Sequence, residues 1–183
     1  MSRIQTPATI EEAPAASRPM LEAVQKKLGV TPNLFRLVSN SPAALEGYLS
    51  LSGALEKGTL PAATRERIAL AIAEVNGCDY CLSAHTYLGK NLAKLDEAEI
   101  AANRSGTSND PMADVAVRFA AKVALSRGHV DDADVQSLKS AGYDDAQTVE
   151  IVLHVALNTW TNYINEVGKT AIDFPVVTSR KSA

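Results

Sequence analysis

Ile68-Ala69-Leu70-Ala71-Ile72-Ala73-Glu74-Val75-Asn76-Gly77-Cys78-Asp79-Tyr80-Cys81-Leu82-Ser83-Ala84-His85 is the stretch on which the fold turns. Its first six residues are apolar all round, and a helix with no polar face is buried on every side. The segment is therefore expected to be the central helix of the molecule. Gly77 breaks that helix, and the residues after it open a second one directly at the edge of the core.

The chain's two cysteines both stand at the start of that second helix. Steps of three and four residues return to one helix face, so Cys78, Cys81 and His85 cluster. The drift is about 20° from Cys78 to His85 and about 40° from Cys81 to His85 at roughly 100° per residue. A thiolate that attacks, a neighbouring thiol that resolves the product as a disulfide, and an imidazole that moves the proton make up a thiol redox centre. The unbonded N–H groups and positive dipole end of the new helix favour thiolate, most of all at Cys78.

Working outward, residues 19–170 read as helices punctuated by Gly, Pro, Asn and Asp. The expected helices are Met20 to Leu28, Leu34 to Val38, Ala43 to Leu55, Ala62 to Val75 and Tyr80 to Asn91, then Glu97 to Asn103, Met112 to Ser126, Asp132 to Ser140 and Ala146 to Thr170. Ser41-Pro42 and Asp110-Pro111 place a cap before a first-turn proline, and Gly58, Gly106, Gly128 and Gly142 follow helix ends. No alternating strand pattern competes, so the class is all-α, in one domain. Residues 1–17, rich in Pro, Ala, Ser and Glu, read as a flexible N-terminal arm or one that orders on a partner subunit; 18–175 form the helical domain and 176–183 a tail.

A chain of 183 residues buries about 70% of the surface its unfolded form exposes and needs no disulfide staple. The short Cys78–Cys81 loop gives a disulfide worth only about 2 kcal/mol, so stabilisation is a poor reason for the pair. The net charge of −3, with both signs interspersed, offers no basic stripe to nucleic acid or to an anionic membrane surface. The opening residues carry no secretory pattern and no stretch reaches about 18 uncharged apolar residues, which leads to the expectation of a cytoplasmic protein. In a reducing compartment a lone Cys-x-x-Cys is catalytic or metal-binding before it is structural.

Arg65-Glu66, Asn76-Gly77-Cys78-Asp79-Tyr80-Cys81 and Ala84-His85-Thr86 together resemble the alkylhydroperoxidase D and carboxymuconolactone decarboxylase superfamily. Similarity runs from Leu28-Gly-Val-Thr-Pro-Asn-Leu-Phe35 to Asn158-Thr-Trp-Thr-Asn-Tyr163, as in its peroxidase-related subgroup. Glu66, twelve residues before the first cysteine, and His85, four after the second, occupy the positions of that family's relay. The resemblance implies an all-helical fold assembled as a homotrimer or homohexamer. It also implies peroxidase or disulfide reductase activity at the cysteine pair; no cofactor and no metal are expected.

Carried across, Glu66 acts through a water on His85, His85 is the base, Cys81 is the peroxidatic nucleophile and Cys78 resolves it. The substrate is then a small hydroperoxide, and an external dithiol or a thioredoxin-like or lipoyl reductant restores the pair. This assignment of Cys81 conflicts with the helix-end argument for Cys78. Tyr80 departs from the best-known member, which has a histidine there.

Other readings stand beside these. The pair could be a disulfide reductase or redox adaptor without a peroxidatic role, or incidental to a non-redox decarboxylase that uses His85 as base. Zinc would use thiolates and imidazole, but a closed site needs four ligands and the other histidines are His129 and His154. Glu74 is a second candidate for the relay. His154, in an apolar run, reads as a core histidine and His129 as exposed. Trp160, Asn162, Tyr163 and Asn165 read as core or interface packing, or as a pocket mouth.

Overall fold

The computed structural model describes residues 2–180. Nine α-helices follow one another among them: α1 (Arg18–Leu28), α2 (Asn33–Val38), α3 (Pro42–Leu55), α4 (Ala62–Asn76), α5 (Asp79–Asn91), α6 (Glu97–Arg104), α7 (Pro111–Ser126), α8 (Asp132–Ser140) and α9 (Asp145–Gly168). Every expected helix is present, with ends moved by one or two residues, as capping geometry rather than periodicity sets them. The all-α, single-domain reading holds, with no strand among the described residues.

Local chemistry accounts for the boundaries. Ser41 caps α3 by accepting the Ala44 N–H at 3.2 Å, ahead of Pro42 in the first turn. Asp110 does the same for α7, accepting from Met112 and Ala113. Asp144 and Gln147 form a reciprocal capping box at the start of α9. Gly77 ends α4 at φ 68°, a left-handed conformation in which an L side chain is strained, and this turn swings the chain straight into α5.

The apolar run at 68–73 occupies the centre of the fold. Leu70 and Ala73 face one core cluster with Leu21, Leu45, Leu82, Tyr80 and both cysteines. Ile68, Ala71 and Ile72 face a second cluster with Val117, Phe119, Ala120, Leu138 and Ile151. α4 is therefore covered on one side by α5 and on the other by α7, with α6 and α9 also packed against it. This two-sided burial is what the absence of a polar face required.

The ends of the chain depart from expectation. The arm at 2–17 is tied to the body: the Arg3 N–H donates to the Gly168 carbonyl at 2.7 Å, Asn40 to the Gln5 carbonyl at 2.7 Å and Arg36 to the Ala8 carbonyl at 2.6 Å. Ala13 is wholly buried in the first core cluster. Backbone carbonyls hold this segment, so hydrophobic periodicity carried no sign of it.

The tail is also held as far as it is described. The Val177 N–H donates to Ser83 Oγ at 2.9 Å, the Ser179 N–H to Asp79 Oδ1 at 2.7 Å and the Arg180 N–H to Glu74 Oε1 at 2.6 Å. Residues 181–183 of the expected tail, and Met1 of the arm, lie outside the described residues. No described helix is long and apolar enough to cross a membrane.

Candidate active site

Cys78 is the N-cap of α5, with extended backbone, and its Sγ accepts the Cys81 N–H at 3.2 Å. That is the place where the free N–H groups and dipole of a helix favour negative charge. Cys78 and Cys81 are joined as a disulfide across Cα atoms 5.3 Å apart. The pair is deeper than expected: Cys78 is 0% and Cys81 3% exposed, so both sulfurs lie inside the first core cluster rather than at its edge.

Cys81 has a second neighbour. Asn165, one turn from the end of α9, donates through Nδ2 to Cys81 Sγ at 3.3 Å. This residue was placed in packing or at a pocket mouth by the sequence, and its contact with the sulfur was missed. A signal was present, since Asn158, Asn162 and Asn165 recur at helical spacing, and all three are buried. Asn162 accepts from Asn76 at 2.9 Å and Asn158 donates to the His154 carbonyl at 2.8 Å, while Asn165 alone of the three reaches sulfur.

Glu66 projects from the first half of α4 and His85 from the middle of α5. Their side chains meet with Oε2 2.9 Å from Nδ1, each about one-fifth exposed. The contact is direct, which corrects the expected water between carboxylate and ring. A ring whose Nδ1–H is held by a carboxylate is fixed in the tautomer that leaves Nε2 able to take a proton. Cys81 and His85 stand four residues apart on α5 and so share a face.

Glu74 is committed elsewhere. Its carboxylate takes Arg104 Nε at 2.6 Å through Oε2 and the Arg180 N–H through Oε1, so both of its oxygens are engaged by these partners. Tyr80, between the two cysteines, has a scaffold role: its hydroxyl accepts the Leu34 N–H at 3.1 Å and its ring packs edge-on to Phe174. Burial raises its pKa. Tyr48 stacks between Phe35 and Trp160, each ring centre 5.4 Å away. Burial of its hydroxyl, with the charges of Glu66 and Glu56 adding, pushes Tyr48 up to about 12.

His154 is a core residue, as read, 6% exposed on α9. Burial, then the Arg65 charge, lowers its pKa to about 4 against the opposing pull of Glu150 and Glu66, so the ring is neutral at ordinary pH. His129 is exposed in the turn after α7. Tyr163 and Trp160 face outward, 59% and 37% exposed. Among the described residues no three His, Cys, Asp or Glu side chains converge as metal ligands would.

Residues 42–122, which carry α4, Glu66, both cysteines and His85, match the family model described as the Carboxymuconolactone decarboxylase family. The fold is similar to the alkylhydroperoxidase AhpD core of an uncharacterized peroxidase-related protein from Ralstonia eutropha JMP134, with TM-score 0.84 and 24% identity over 94% of this chain and 92% of that one. It is similar to an uncharacterized peroxidase-related protein from Silicibacter sp. TM1040, with TM-score 0.79 and 23% identity over 93% and 94% of the two chains. The debrominase Bmp8, solved in complex with 2,3,4-tribromopyrrole, shares the fold with TM-score 0.77 and 20% identity over 94% of each chain. No curated protein matches the chain in sequence.

Proposed function

From the premise that the chain has the fold and, over residues 42–122, the sequence pattern of the alkylhydroperoxidase D and carboxymuconolactone decarboxylase superfamily, we propose that it is a thiol-dependent peroxidase. Its substrate is a small hydroperoxide. One observation carries the reading: the Glu66 carboxylate lies 2.9 Å from His85 Nδ1, and His85 stands one helical turn beyond Cys81 of the disulfide-forming pair. A structural disulfide has no use for an oriented base one turn along the same helix face.

In the reduced protein His85 takes the Cys81 thiol proton, and Glu66 orients and stabilises the imidazolium. The thiolate attacks the nearer oxygen of the hydroperoxide. The S–O bond forms, the O–O bond breaks, and the departing alkoxide receives a proton to leave as the alcohol. Sulfur is oxidised to sulfenic acid and the peroxide is reduced. Cys78 then attacks the Cys81 sulfur, the S–O bond breaks, water leaves, and the disulfide forms. An external dithiol returns the pair to two thiols and is itself oxidised to a disulfide.

The test is peroxide consumption by the reduced protein, followed with a dithiol reductant. Replacing Cys81 with Ser is expected to abolish it, since the resolving thiol lacks the Asn165 contact and stands nearly two turns from His85. Full turnover in that variant refutes the assignment of the nucleophile. A redox adaptor, the other use of the same pair, is told apart by thiol titration after one equivalent of peroxide. An adaptor oxidises no faster than free cysteine.

A further inference from the structure

The nucleophile reading leaves a conflict between the two sulfurs: the end of α5 favours charge on Cys78, yet Cys81 is assigned the attack. Asn165 bears on it. Its Nδ2 lies 3.3 Å from Cys81 Sγ, its side chain is part of a residue only 2% exposed, and its Oδ1 is buried with no hydrogen-bond partner among the described residues. Cys78 has a donor of its own in the Cys81 N–H, but the Asn165 amide reaches only the second sulfur.

We propose that Asn165 is a catalytic residue that holds Cys81 in its nucleophilic, negatively charged form by donating Nδ2–H to the sulfur. This rests on the reading of Cys81 as the nucleophile. Packing does not account for the residue, because an amide with one buried polar atom unpaired is poor core material, and an apolar side chain of similar volume fills the same space without that penalty. A disulfide sulfur is a weak acceptor and a thiolate a strong, charged one, so the bond strengthens when the protein is reduced.

The same donor acts in the other half of the cycle. The reductant's thiolate attacks Cys81, the S–S bond breaks and Cys78 leaves; the reductant's second thiol then attacks its own sulfur in the mixed disulfide and Cys81 leaves as thiolate, and a leaving sulfur with a lower pKa leaves faster. Asn165 therefore serves both attack on the peroxide and release from the disulfide. It comes from α9, 84 residues away in sequence, so the chemistry of the Cys-x-x-Cys segment is completed by a helix that the segment's own motif does not include.

The experiment is a thiolate absorbance titration of two reduced single-cysteine proteins, Cys78→Ser and Cys81→Ser, each with and without Asn165→Leu. The expected result is a rise of about one to two pH units in the Cys81 thiol on losing the donor, or roughly tenfold to a hundredfold less thiolate near neutral pH. The Cys78 thiol is expected to stay in place, and thermal stability to be kept. Asn165→Met, of similar size and with no donor or charge, is expected to give a rise of the same size and serves where the leucine variant does not fold.

An unchanged Cys81 thiol in either folded variant overturns the inference, as does an equal shift of both thiols. Failure of both variants to fold assigns Asn165 to structure alone and overturns it too. The titration uses no peroxide, so it stands apart from the proposed activity. A wild-type protein that ignores peroxide while the Asn165 effect persists removes the peroxidase reading and leaves the donor role standing.

Discussion

Glu66 Oε2 stands 2.9 Å from His85 Nδ1, across 19 residues of sequence and from two different helices. The Gly77 turn folds α5 back on α4, so a carboxylate about three turns before the break can reach a ring about two turns after it. A carboxylate on the central, most buried helix needs a partner, and among the described residues the imidazole is its ion-pair partner.

Glu66→Gln keeps the shape of that contact and removes the charge that stabilises an imidazolium. The rate of Cys81 oxidation by peroxide is expected to fall about 100-fold, within the usual range for loss of general base assistance. Stopped-flow oxidation of the reduced protein measures it, and a rate equal to wild type removes Glu66 from the mechanism.

Glu74→Gln separates the two carboxylates of α4. Arg104 is left in a site where its side chain is 16% exposed and Glu74's is 6%. The cost of stranding that cation is about 3 kcal/mol, or a Tm lower by roughly 10 °C in a chain of this size. Peroxide reactivity below the transition is expected to stay near wild type; a loss like that of Glu66→Gln would reinstate Glu74 as the relay.

His154 makes stability depend on pH. Its pKa is lowered by burial and by Arg65 from 6.5 unfolded to about 4 folded, so between those values the unfolded chain binds more protons. The contribution of the neutral ring is full above pH 6.5, falls as pH drops, and is gone below about 4. Denaturant titrations are expected to show at most about 3 kcal/mol lost across that window. His154→Leu is expected to flatten this part of the profile, and an unaltered slope contradicts the assignment.

Glu99 acts at lower pH. Burial pushes its carboxyl up, but hydrogen bonds from Ser108, Asn103, the Asn109 N–H and Arg67 outweigh this and hold it at about 2, below its ordinary 4.5. Its stabilisation is present above pH 4.5 and lost as pH falls toward 2. Acid unfolding of Glu99→Gln should therefore lack a component between those values that the wild type shows.

How much of this was legible follows from the range of each interaction. The nine helices were readable because periodicity, caps and the glycine at 77 act within a few residues. The central place of α4 followed from its lack of a polar face. Glu66 was picked out over Glu74 only by the family offset, since helical spacing alone cannot say which carboxylate faces the α5 histidine. Asn165 was not identified because its sulfur lies on another helix, and a polar residue on a mostly apolar helix reads as packing until its partner is known. The held arm at 2–17 was missed for a related reason, because carbonyl acceptors leave no mark in the side-chain pattern.

The most direct measurement is the fate of one equivalent of peroxide given to reduced Cys78→Ser protein. The account predicts oxidation about 100-fold or more faster than free cysteine, with a single added oxygen at Cys81 by mass spectrometry and trapping of that sulfenic acid by a dicarbonyl reagent. Oxidation no faster than free cysteine, with Cys81 left as thiol, contradicts it.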